Sequence, residues 1–103
     1  MKVRYTIDAL FHIAAIHTYV SERNPAAAGR IVARIRVAAE RFGEQPYIGR
    51  AGVVIGTREW VVSGLPYIIV YELNDPLNEV VVLSVYHGAQ LRPGQQEPSL
   101  EPK

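Results

Sequence analysis

The sequence predicts an α+β domain in which an N-terminal strand and a two-helix antiparallel hairpin precede a three-stranded antiparallel meander. Three observations carry that expectation. Residues 57 to 62, 66 to 73 and 79 to 87 are β-branched and aromatic runs separated only by turn-forming residues, which is how a meander reads. Two segments between 9 and 42 show apolar side chains at helical spacing. The length of 103 residues allows one hydrophobic core and leaves no room for a second domain.

Taken in order, Lys2-Val3-Arg4-Tyr5-Thr6-Ile7 alternates polar and apolar, a short strand with Val3, Tyr5 and Ile7 on one face. Asp8 is expected to cap the first helix. Within it Ala9, Ile13, Ile16 and Val20 fall on a narrow arc that should face the core, while Phe11, Ala14, Ala15 and Thr18 lie opposite. Phe11 on an outer face is a large apolar side chain set toward water, and so hints at a second contact surface. Asn24-Pro25 reads as a cap followed by proline at the first helical position. The second helix should run to Phe42 with Ile31, Ile35, Ala38 and Phe42 inward, Arg30, Arg34 and Arg41 in a basic stripe, and Gly43 in a left-handed C-terminal cap.

The segment from 43 to 56 holds four glycines and one proline, so it is expected to be a loop with a short edge strand at Val53 to Ile55. Ser63-Gly64-Leu65 and Asn74-Asp75-Pro76-Leu77-Asn78 supply turns of hairpin length. In the run 67 to 73 both alternating sets are apolar, so both sheet faces want covering, and two helices can cover one. After Pro93 the chain has little to bury, and residues 94–103 are expected to be a flexible tail.

Composition excludes several chemistries. With no cysteine there is no disulfide, no thiolate metal site and no cysteine nucleophile. His12 and His17 are five apart, wrong for two ligands on one helix face, so neither a metal nor a cofactor is expected. The N-terminal residues lack the apolar stretch of a signal peptide, and no run is long enough to span a bilayer, which points to a cytoplasmic protein. Net charge is only +1, yet nine of the eleven basic residues are arginine, the cation best suited to carboxylates and phosphates. An acidic protein and a nucleic acid both fit that preference.

Few polar residues sit on the meander: Arg58, Glu59, Glu72, Ser84 and His87. Arg58 and Glu59 are strand neighbours that should point to opposite faces. His87 ends its strand before Gly88, a place that favours a structural histidine bonded to a backbone carbonyl over a catalytic one. The aromatic residues Trp60, Tyr67, Tyr71 and Tyr86 read as packing residues.

Asn-Pro-Ala-Ala-Ala at 24 to 28, Pro46 with Gly49-Arg50 and Gly52, Gly-Thr-Arg-Glu at 56 to 59, Leu-Pro-Tyr-Ile-Ile-Val-Tyr at 65 to 71, and Val-Tyr-His-Gly-Ala-Gln with Pro93 follow one another in the order and spacing of a known family. With these pieces the chain resembles the RelE/ParE superfamily of type II toxins, and specifically its ParE-like, plasmid-stabilisation branch, over residues 5 to 93, as a single toxin domain within 1–93. The resemblance implies a cognate antitoxin as obligatory protein partner. It also implies a target, DNA gyrase for ParE-like members or mRNA on the ribosome for RelE-like ones, and no sequence-specific DNA binding by this chain itself.

For RNA cleavage the resemblance would cast His87, Arg58 and Glu59 as the catalytic set, supplying acid, phosphate cation and base. The central strand reads Ile68-Ile69-Val70-Tyr71, without the arginine that the ribonuclease branch carries before its Val-Tyr pair. The expectation is therefore a toxin that acts by binding, with Arg58, His87, Gln90 and Arg92 toward the target and Phe11, Ala15, Arg30, Arg34 and Arg41 toward the antitoxin; the alternatives are a ribosome-dependent mRNA endoribonuclease and an inactive remnant that still binds its antitoxin.

Overall fold

The computed structural model describes residues 1–89, and the expected tail at 94–103 lies outside them. Strand β1 spans Lys2–Tyr5, helix α1 Ile7–Ser21 and helix α2 Pro25–Glu40, followed by a 3-10 turn at Arg41–Gly43. Strands β2 (Arg50–Ala51), β3 (Thr57–Val61), β4 (Tyr67–Asn74) and β5 (Glu79–His87) complete the chain, with a second 3-10 turn at Asp75–Leu77. The α+β architecture expected from the residues is the one observed. The strands lie in the order β1-β5-β4-β3-β2, all antiparallel except β1, which runs parallel to β5 with Val3 opposite Val80 and Tyr5 opposite Val82.

Both helices pack on one face of this sheet. Ala9 and Ile13 of α1 and Ile35, Ala38 and Ala39 of α2 meet Tyr67, Ile69 and Tyr71 of β4 and Val80, Val82 and Val85 of β5. Phe42 stacks on Tyr71 at 4.0 Å between ring centroids and 16° between planes. Stacking of two fully buried rings fixes the turn after α2 against the centre of the sheet. On the other face Ile68, Val70 and Tyr86 gather with Leu83 into a smaller cluster.

The hydrogen-bond pairing corrects several local expectations. Thr6, not Asp8, caps α1: its hydroxyl accepts from Ala9 N–H at 3.0 Å and donates to Leu83 C=O at 3.1 Å, so one side chain closes the helix and ties it to β5. Asp8 lies in the first turn, where its charge suits the helix dipole. Ile7 is consequently the first residue of α1 and is exposed, not a third inward residue of β1. A bulge in β5 places Ser84 opposite Val70 and Val82 opposite Tyr71, leaving Leu83 as the extra residue. Because β1 ends opposite Val82, the β5 edge beyond it needs another cover, and His12 provides it by accepting Val85 N–H on Nδ1 at 3.3 Å.

Gly43 does not adopt the left-handed conformation expected of a helix cap; positive φ is confined, among the described residues, to Gly56, Gly64 and Asn78. Its requirement is space instead. A Cβ there would lie 2.6 Å from the Met1 carbonyl oxygen, while the Met1 ammonium donates to Gly43 C=O at 2.7 Å. The edge strand forms at Arg50–Ala51 and not at Val53 to Ile55, since Arg50 pairs with Glu59 and Ala51 with Arg58, and the chain then turns away.

Candidate functional site

Arg58, Glu59 and His87 are the residues the sequence nominated for chemistry, and the sheet register separates them. Arg58 lies opposite Tyr71, on the helix-covered face. Glu59 lies opposite Val70, on the other face. His87 lies opposite Tyr67, four residues along β4 from Tyr71, on the order of 13 Å at strand rise. Each then has its own local task.

The Arg58 guanidinium donates from Nη1 to Gly49 C=O at 2.7 Å and reaches Tyr47 C=O at 3.4 Å, with its charge 4.9 Å from the Tyr47 ring centroid. It holds the loop from Pro46 to Gly49 against β3. Glu59, only 2% exposed, accepts from Arg50 Nη2 at 3.3 Å and from Val53 N–H at 3.2 Å. A carboxylate removed from water needs such charge-assisted partners, and these two fix the next stretch of the same loop.

Tyr71 completes this knot. Its hydroxyl accepts from Gly49 N–H and donates to Pro46 C=O, both at 2.8 Å. Burial pushes the phenol above its ordinary value, although the Gly49 N–H and the nearby Arg58 charge act in the opposite sense. Gly49 is required because a Cβ would sit 2.7 Å from the Tyr71 hydroxyl, and Gly52 because one would sit 2.2 Å from Thr57 Oγ1. So Pro46, Gly49, Arg50, Gly52, Thr57, Arg58, Glu59 and Tyr71, nominated as separate signals, form one interlocked unit. Sequence reasoning took Tyr71 as plain packing; the alternation of β4, which turns it to the same face as its partner Arg58, was the available clue.

His87 stands at the surface. Ala89 N–H donates to its Nδ1 at 3.1 Å, which sets the neutral ring as the Nε2–H tautomer, and the ring meets Tyr67 edge-on at 5.7 Å. Gln90 and Arg92, the other residues nominated toward a target, lie outside the described residues. Among the described residues no group of three or more histidines and carboxylates is placed to hold a metal. No described helix is long and apolar enough to cross a membrane.

The second nominated surface is the outer side of α1. Phe11, 73% exposed, lines a shallow open groove of about 390 Å³ with Ala14, Ala15, Thr18, Tyr19 and Glu22. Arg30 and Arg34 of α2 and Arg41 of the following 3-10 turn do not form one free stripe beside it. Arg30 donates back to Ala26 C=O at 2.8 Å, Arg34 donates to Ser63 C=O in the β3–β4 turn, and Arg41 lies 5.6 Å from the Trp60 ring centroid and reaches Gln45.

This fold is that of a recognised group. Residues 3–92 match the model of the ParE toxin of the type II toxin-antitoxin system parDE. The chain belongs to the ParE toxin family. The ParE-family chain is 38% identical over 92 residues to a protein of Sinorhizobium fredii (strain NBRC 101917 / NGR234) named "Putative toxin Y4kP", covering 89% of this chain and 93% of that one. It is 36% identical over 90 residues to Toxin RelE2 of Caulobacter vibrioides, covering 87% and 98%. Its backbone matches a chain of the chromosomal ParDE TA system from P. aeruginosa with a TM-score of 0.77 at 19% identity, over 84% of this chain and 95% of the other. A chain of the toxin-antitoxin complex RelBE2 from Mycobacterium tuberculosis follows it with a TM-score of 0.62 at 22% identity, over 86% and 92%. These two share the fold of the ParE-family chain.

Proposed function

We propose that this chain is the toxin of a type II toxin–antitoxin pair, neutralised in the cytoplasm by a cognate antitoxin, and that it acts by binding DNA gyrase and not by breaking bonds itself. The observation that carries the binding mechanism is the commitment of Arg58 and Glu59 to opposite faces of β3, each spent on the loop from 46 to 53. Transesterification at a ribose 2′-OH needs a base, a cation and an acid converging on one phosphate. Two of the three nominated groups are held apart and occupied. The antitoxin is assigned to the α1 groove, where Phe11 and Ala15 offer apolar area to a segment that folds on binding.

The rival reading is a ribosome-dependent endoribonuclease built around His87, and the likeness to a protein named RelE2 is the observation that favours it. Induced expression in bacteria separates them. Gyrase-dependent DNA breaks with SOS induction support the proposal; mRNA cleavage abolished by His87→Ala supports the rival, and growth without arrest overturns both.

A further inference from the structure

The loop between β2 and β3 is built to hold apolar side chains in water. Residues 51 to 57 read Ala-Gly-Val-Val-Ile-Gly-Thr and contain no charge. Ile55 is 98% exposed, and Val53 and Val54 are about two-fifths exposed. Exposed apolar turns are ordinarily loose, but this one is pinned from both sides. Gly52 N–H donates to Thr57 C=O at 2.8 Å, Thr57 N–H and Oγ1 both donate to Val54 C=O at 3.1 and 2.6 Å, and Val53 N–H ends on the buried Glu59 carboxylate. Gly56 takes φ +90, a conformation that sets Ile55 at the crest of the turn and that a side chain there would strain. A buried carboxylate is a costly device for ordering a surface loop, and a core has no use for a rigid isoleucine pointing away from it.

We infer that Val54 and Ile55 form a preformed apolar knob that inserts into a pocket on the folded protein target; this rests on the proposal that the chain acts by binding such a target. Three features choose that occupant. A rigid knob loses little conformational entropy on docking, which suits a partner that is itself folded and offers a matching pocket. The turn carries no charge and Arg50 is paired with Glu59, so neither a phosphate backbone nor an acidic peptide finds complementarity there. The adjoining edge strand, Arg50–Ala51, is only two residues long, too short a ladder for a second copy to pair with. The proposed antitoxin groove on α1 is displaced along the sheet from the knob, since α1 packs on β5 while the knob follows the edge strand β2. One molecule can therefore present the two surfaces to two partners.

The test is Ile55→Asp in the full chain, with Ile55→Leu as the conservative control, read by growth arrest on induction and by affinity for the cognate antitoxin. Circular dichroism and thermal melting establish that each variant is folded. We expect Ile55→Asp to lower toxicity at least tenfold, Ile55→Leu to keep it, and antitoxin affinity to stay within twofold of the parent for both. Full toxicity of a folded Ile55→Asp chain overturns the knob while leaving the target reading intact, and so does loss of antitoxin affinity with it. Absence of arrest by the unmutated chain overturns both together.

Discussion

The Tyr71 hydroxyl bridges the loop it faces, taking Gly49 N–H and giving its proton to Pro46 C=O at 2.8 Å each. Removing that oxygen leaves a buried donor and a partly buried acceptor without their partner. Tyr71→Phe should therefore cost about 2 kcal/mol, the scale of unsatisfied buried groups. Urea unfolding at neutral pH measures it. Gly49→Ala should cost at least as much, because the added methyl meets the same hydroxyl.

The same burial gives the fold an alkaline limit. Tyr5, Tyr67 and Tyr71 all have phenols raised above the ordinary value, in each case first by desolvation. A raised acid keeps its proton in the native state after the unfolded chain has lost it, so the unfolded state binds fewer protons above pH of about 10. Stability is thus fully present below that value and falls as pH rises through the folded pKa values. Denaturant midpoints at pH 8 and pH 11 should show the drop, and Tyr71→Phe should reduce it.

Glu59→Ala should free the loop without unfolding the sheet. Val53 N–H loses its acceptor and Arg50 its partner, for a cost of about 1–3 kcal/mol, with the Arg50 part small because that side chain is exposed. Hydrogen exchange locates the effect: the Val53 amide should lose protection while amides of β4 keep theirs. If the knob is a target contact, toxicity falls as well.

Much of this was legible in the residues. Helical spacing identified Ala9, Ile13, Ile35, Ala38 and Phe42 as inward, and each is buried. The meander and its turns follow from β-branched runs punctuated by Gly64 and Asn78, both with positive φ. Relations that join distant segments were not visible in local patterns. The parallel pairing of β1 with β5, the role of Thr6 toward Leu83 and the service of His12 to Val85 all depend on where the bulge at Leu83 leaves the β5 edge. Arg58 and Glu59 looked available for chemistry for the same reason: a residue's type is written in the sequence, but the loop carbonyls and amides that occupy it are brought up by tertiary structure.

His12 covers the part of β5 that β1 does not reach, so its loss should be felt at one amide. His12→Ala removes the acceptor of Val85 N–H and should cost about 1 kcal/mol, the usual net worth of such a bond. The Val85 amide should exchange faster. His12→Asn restores an acceptor near that place and should recover part of the loss.

Phe11 offers the sharpest separation of binding from stability. Its ring is 73% exposed on α1, beside Ala14 and Ala15, and contributes little to the core. Phe11→Asp should leave the thermal midpoint nearly unchanged, since a surface substitution away from caps and buried partners is usually worth within about 0.5 kcal/mol. Against an antitoxin segment laid along α1, the same change deletes an apolar anchor and sets a charge in its place, a loss of about 2 kcal/mol or more at a central contact. Calorimetric titration should then show affinity reduced by about thirtyfold. A Phe11→Asp toxin should arrest growth even when the antitoxin is co-expressed, because the proposed target contacts do not include α1. Unchanged antitoxin affinity would move the antitoxin off this helix and return the groove to an ordinary exposed surface.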